Sequence, residues 1–135
     1  MSATVGRVEH AVLQHTLDDL IARDSGIHAA MFCTSDGFEL ASNLPPTISS
    51  ATLSAMVSSQ FALGDALCRE TGLKSCRDLV IDASSGRVII MEVRGTNRGF
   101  VLAAIASTRY TLGNVLYDCR QVADEIGPRV TQAFQ

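Results

Sequence analysis

Apolar residues recur along this chain with two periods, about 3.6 in some stretches and 2 in others. Over residues 4–23, Val5, Val12, Thr16 and Leu20, joined by Leu13 and Leu17, gather on one side of a helix, flanked by Glu9, Asp18 and Asp19. Ser25-Gly26 ends it, with Gly26 suited to a C-terminal cap. Ile27–Thr34 is apolar on both parities and predicts a strand. Ser35-Asp36-Gly37 is a hairpin signal. The partner strand, residues 38–43, alternates, with Phe38 and Leu40 on one face and Glu39 and Asn43 on the other. Pro45-Pro46 closes the unit.

A second helix is predicted over residues 50–71, stopped by Gly72. Leu53, Met56, Val57, Gln60, Phe61, Leu63, Gly64, Leu67 and Cys68 fall on an arc of about 160°. The opposite arc holds Ser54, Ala55, Ser58, Ser59, Ala62, Asp65, Ala66 and Arg69. A solvated face usually carries long charged side chains, and this one is mostly Ala and Ser. Three strands follow, over residues 76–82, 87–93 and 100–106. Ala83-Ser84-Ser85-Gly86 makes the first turn between them; the basic run from Arg94 through Thr96, Asn97 and Arg98 to Gly99 makes the second. A third helix, residues 108–126, places Leu112, Val115, Leu116, Cys119, Val122, Ala123 and Ile126 at helical spacing; Gly127-Pro128 reads as its stop, with extension through the tail to Gln135 left open.

The order is α-β-β-α-β-β-β-α. Hairpin links make the sheet mixed but mainly antiparallel, five-stranded, in an α/β (α+β) fold with helices on both faces. The three strands that are apolar on both sides belong in the centre. The two alternating strands, 38–43 and 76–82, belong at the edges. The second puts Leu79 and Ile81 on one face and Asp78, Val80 and Asp82 on the other. An edge carrying Leu79-Val80-Ile81 invites pairing with another chain.

Size and composition narrow this picture. The 135 residues suit one domain. Hydrophobic residues are 47% and charged residues 19%, which is charge-poor beside the average of about 25%. The apolar surplus suits a sheet buried on both faces, a subunit interface, or both. A net charge of −3 argues against a protein that binds nucleic acid by neutralising phosphates. No apolar run reaches the ~18 residues of a membrane span, so direct insertion is not expected. Residues 1–10 contain no apolar signal-peptide core. Cys33, Cys68, Cys76 and Cys119 are isolated and read as reduced, buried small hydrophobes of a cytoplasmic protein.

Catalytic chemistry is poorly supported. Gly72-Leu73-Lys74-Ser75 resembles the end of a phosphate loop, but Leu73 separates Gly from Lys and the stretch follows a helix. His10 and His15 point about 140° apart on a helix and cannot chelate together. His28 and Cys33 have opposite strand parity. Adjacent Asp18 and Asp19 read as solvated. No catalytic residue, metal ligand or cofactor is expected.

The element order, Ser35-Asp36-Gly37-Phe38-Glu39-Leu40 in the first hairpin, Leu112-Gly113-Asn114-Val115 opening the last helix and the strand from Gly99 through Phe100, Val101, Leu102 and Ala103 to Ala104 together resemble the roadblock / dynein light chain family of small-GTPase-associated proteins. The resemblance runs from Leu13 to Ile126 and is nearest in style to bacterial single-domain members. Some of those are encoded beside a membrane histidine-kinase-like protein and a Ras-like GTPase.

The resemblance implies a non-enzymatic homodimer whose sheets join edge to edge through the third strand, with the second helices side by side on one face. There they meet a small GTPase, and some relatives promote its GTP hydrolysis without donating a catalytic residue. Carried over by element, the dimer interface comprises Cys76, Arg77, Asp78, Leu79, Val80, Ile81 and Asp82, together with Ala55, Ser59, Ala62 and Ala66. The GTPase-binding surface comprises Ala51, Ala55, Ser58, Ser59, Ala62 and Arg69. Location would be cytoplasmic, with recruitment to the membrane by partners. Two other classes fit the sequence: a profilin-like or GAF-like small-molecule sensor, disfavoured by only seven aromatic residues, and a scaffold subunit with no GTPase partner.

Overall fold

The computed structural model describes residues 7–95 and 99–133. In chain order the elements are α1 (Arg7–Ala22), β1 (Ile27–Thr34), β2 (Glu39–Asn43), α2 (Ser50–Glu70), β3 (Asp78–Ala83), β4 (Gly86–Val93), β5 (Phe100–Ala106) and α3 (Leu112–Ala133). Residues 4–6 of the expected first helix and Thr96, Asn97 and Arg98 of the expected basic turn lie outside the described residues.

The sheet runs β2-β1-β5-β4-β3. All four pairings are antiparallel, so no parallel pair makes the sheet mixed. The strands that are apolar on both faces are the inner three, because only there can both rows of side chains leave water. α1 and α3 lie on one face and α2 alone on the other. The larger core, between the sheet and α1/α3, is built on Leu13, Leu17, Phe32, Leu102, Val115 and Ile126. Phe32 and Phe100 meet edge to face there, 6.0 Å apart. The smaller core under α2 holds Met31, Cys33, Val57, Ile90, Val101 and Ala103.

Three local expectations are corrected. β2 does not alternate throughout: its register slips opposite Phe32/Cys33, so Leu40 and Ala41 are both buried in the α1/α3 core. Gly26 is no helix cap. Ser25 Oγ closes the last turn of α1 by donating to Leu20 O at 3.1 Å, and Gly26 follows with φ +79°, a Tyr110 ring carbon 2.6 Å from where its Cβ would stand. Gly127-Pro128 does not stop α3, which continues to Ala133 and buries Val130. A Cβ at Gly127 would overlap the carbonyl oxygen of Arg94, so the glycine lets α3 pass close over the end of β4.

Candidate functional site

The two sheet edges differ. On β2 the outward carbonyls are occupied from α1: the His10 ring, through Nδ1, contacts Leu40 O at 3.1 Å, and Gln14 Nε2 donates to Ser42 O at 2.8 Å. Asn43 Nδ2 also donates to Asp18 Oδ1 at 2.8 Å, tying the end of β2 to the same helix. That edge is closed by side chains.

Among the described residues no helix covers β3 in this way, and only the Cys76 thiol, 3.4 Å from Asp78 O, reaches one of its outward carbonyls. Glu92 N–H donates to Arg77 O at 3.1 Å, and the register pairs Leu79 with Ile90 and Ile81 with Val88. In an antiparallel ladder, residues alternate between facing the neighbour and facing away. The main-chain groups of Arg77, Leu79 and Ile81 therefore face β4, while those of Asp78, Val80 and Asp82 face outward. The side chains at this edge come with their own partners. Asp78 is ion-paired with Arg120 of α3, and Asp82 Oδ1 lies 3.3 Å from Arg87 Nε.

Above this edge sits α2, which Ser49 starts by accepting from Thr52 N–H at 3.2 Å. Its first half lies over the β1–β2 hairpin, where Gly37 abuts Ser58 and Ala55. Its second half reaches β3, where Gly64 abuts Leu79 and Cys76. One flank, with Ser58, Ala62, Asp65 and Arg69, borders a cleft shared with Ser35, Glu92 and Val101. The opposite flank carries Met56, Gln60, Leu63 and Leu67 and faces the other end of the sheet. The strand register crosses that end as a row, Ile81–Val88–Ile105.

This flank revises the expected phase of α2. The apolar arc of about 160° is not all inward: Val57 is buried, but Met56 (60%), Leu63 (65%) and Leu67 (63%) are exposed, as is Ile81 (42%) at the edge below. Met56, Gln60, Leu63 and Leu67 follow the alternating four- and three-residue step of a helix–helix seam. That step is visible in the sequence, within the apolar arc. Ala51, Ala55, Ser59, Ala62, Ala66 and Arg69 are exposed, on the line of α2 pointing away from the sheet. Ser58 and Ser54, by contrast, are buried. Ser58 Oγ donates back to Ser54 O at 2.8 Å, so its proton is committed within the helix. Cys76 is also buried, and it precedes β3 rather than opening it. Arg77 is exposed beside it.

Asp65 anchors α2 to the start of β3. Its carboxylate accepts from Arg69 Nε at 2.8 Å and from the Cys76 N–H at 2.9 Å. The Arg69 hydrogen bond first, and the Cys76 N–H second, hold its pKa below 3.8. Burial pushes the thiols of Cys33 and Cys119 up to about 12, which disqualifies both as thiolate nucleophiles at neutral pH. Among the described residues no three His, Cys, Asp or Glu side chains gather as a metal site. Nor is any described helix long and apolar enough to cross a membrane. The arrangement offers backbone pairing and an apolar surface, a chemistry of association.

The Roadblock/LC7 domain family matches residues 13–106 of the chain. Among solved structures, Myxococcus xanthus MglB superposes with a TM-score of 0.86 at 16% identity, over 98% of each chain. A Roadblock/LC7 domain from Streptomyces avermitilis superposes with a TM-score of 0.77 at 19% identity, over 87% of this chain and 97% of its own. An uncharacterized protein of Methanocaldococcus jannaschii is 24% identical over 104 residues, 77% of this chain and 85% of its own length.

Proposed function

Because the chain belongs to the Roadblock/LC7 domain family, we propose that it is a non-enzymatic homodimeric adaptor that binds a Ras-like small GTPase and modulates its nucleotide state or its location. The observation that carries the dimer is the asymmetry of the sheet. One edge is closed by His10 and Gln14 from α1, while on the other the outward groups of Val80 and Asp82 have no cover among the described residues and Asp78 O meets only the nearby Cys76 thiol. Two copies meeting at β3 about a two-fold axis would make one ten-stranded sheet. Ile81 and the Met56–Leu63–Leu67 stripe supply apolar surface beside that seam, toward a standard interface of about 1,600 Å² in total.

The GTPase surface in this reading is the exposed crest of α2: Ala51, Ala55, Ser59, Ala62 and Arg69. Small side chains let a partner backbone come close, and the crest is repeated by the two-fold axis. A dimer of this kind acts by holding a GTPase in one shape rather than by contributing a reacting group.

Light scattering on the purified protein, alone and mixed with Ras-like GTPases of the same genome loaded with GDP or a GTP analogue, tests both parts. A mass of two chains, rising on addition of one nucleotide form, is the expected result. A monomer would end the edge-pairing reading, and a dimer that binds no GTPase in either form would end the adaptor reading.

A further inference from the structure

Two of the four cysteines converge where α2 hands the chain to β3. The Cys76 N–H is held by Asp65 Oδ1 at 2.9 Å, and its Sγ lies 3.6 Å from where a Cβ on Gly64 would be. Cys68 stands one helical turn beyond Gly64 on the same side of α2, half-buried. Cys68 therefore shares the face of α2 against which the Cys76 thiol packs. Cys76 also donates to Asp78 O at 3.4 Å, the first outward carbonyl of the open edge. Burial first, and then the Cys68 thiol, push the Cys76 thiol up, so Cys68, the more exposed of the two, is the one to meet an oxidant.

We propose that Cys68 and Cys76 form a reversible intrachain disulfide under peroxide, a clasp that ties the last turns of α2 to the start of β3. A hydroperoxide oxidises the Cys68 sulfur to a sulfenic acid and leaves as water or alcohol. The Cys76 sulfur then attacks the Cys68 sulfur. Its proton leaves with the sulfenic hydroxyl as a second water, so two thiols and one peroxide become one disulfide. A thiol reductant reverses the step. Closure fixes the exposed connection that carries Leu73 and Lys74 and withdraws the S–H that Cys76 gives to Asp78 O. Cys33 and Cys119 are wholly buried and stay out of the exchange.

Lys74 is the only lysine in the chain and lies between the two cysteines, which makes the test direct. Folded protein is treated with hydrogen peroxide, its remaining thiols are alkylated in denaturant, and a protease that cuts after lysine is applied. The expected product carries two alkyl groups, runs as one species without reductant and separates into two fragments with it. Cys68→Ser and Cys76→Ser should each separate under both conditions. The oxidised wild-type chain should also melt several degrees above the reduced one, because a closed loop restricts the unfolded chain. Fragments that separate without reductant overturn the proposal. So does a link that survives Cys68→Ser, or a link that leaves Tm unchanged or lowers it.

Discussion

Asp65 carries two structural duties at once, an ion pair with Arg69 on its own helix and a hydrogen bond to the Cys76 N–H beyond it. Its pKa in the fold lies below the ordinary 3.8, so the unfolded chain binds its proton more readily. The stability it contributes is therefore complete above the ordinary carboxylate range and is lost as pH falls through the lowered folded value. Asp65→Asn should lower Tm at pH 7, and the gap to wild type should narrow as pH falls below 3.8; thermal melts across pH measure it. Individual side chains were the least legible part of this sequence. A serine in a helix reads as polar and outward. Ser54 and Ser58 are buried all the same, because each hydroxyl bonds a carbonyl of its own helix, at 3.1 and 3.2 Å or less, and takes no unsatisfied group inside. The rotation of α2 about its axis then follows from the sheet beneath it, which a helical wheel does not contain.

Element identity was easier to read, since a strand apolar on both parities has only one place to go. The central positions of β1, β4 and β5 and the edge positions of β2 and β3 followed from parity alone. The run of α3 past Gly127-Pro128 did not, because the reason lies 33 residues away in sequence at the Arg94 carbonyl. Proline removes a donor from the helix interior and usually breaks it. Here the core contact of Val130 holds the far side in place. Gly127→Ala should force α3 away from β4 and destabilise the chain by about 1–3 kcal/mol, as overpacking does; denaturant titration would show it. The guard on β2 makes a separate prediction. Replacing His10 and Gln14 together with alanine uncovers the carbonyls of Leu40 and Ser42. The variant should stay folded by circular dichroism yet form species larger than wild type in light scattering.

At the scale of the whole molecule, the alternation of outward and inward groups along β3 selects the informative substitution. Proline at Leu79 would take a donor from the ladder with β4 and test folding. Proline at Val80 takes an outward donor instead. If two copies pair at β3 as proposed, Val80→Pro should yield a monomer at concentrations where wild type dimerises; sedimentation at matched concentrations checks this. Because Val80 also packs on the α1/α3 core, Ile81→Asp is the companion variant, placing a charge at the seam without touching the ladder, and it should weaken the dimer as well. The apolar surplus in the composition has two destinations in the folded chain: strands buried on both sides, and the exposed Met56, Leu63 and Leu67 beside the edge.

Asp78 and Asp82 at that edge are each matched by an arginine of their own chain, Arg120 and Arg87. The carboxylates at the seam are thus largely neutralised before any partner arrives. The proposed association would then draw little on these carboxylates, whether for attraction or repulsion, and added salt would have little of their charge to screen. The dissociation constant of the proposed dimer should shift by less than about threefold between 50 mM and 500 mM salt, well short of the decades lost by charge-steered pairs. Dilution calorimetry at the two ionic strengths would measure it.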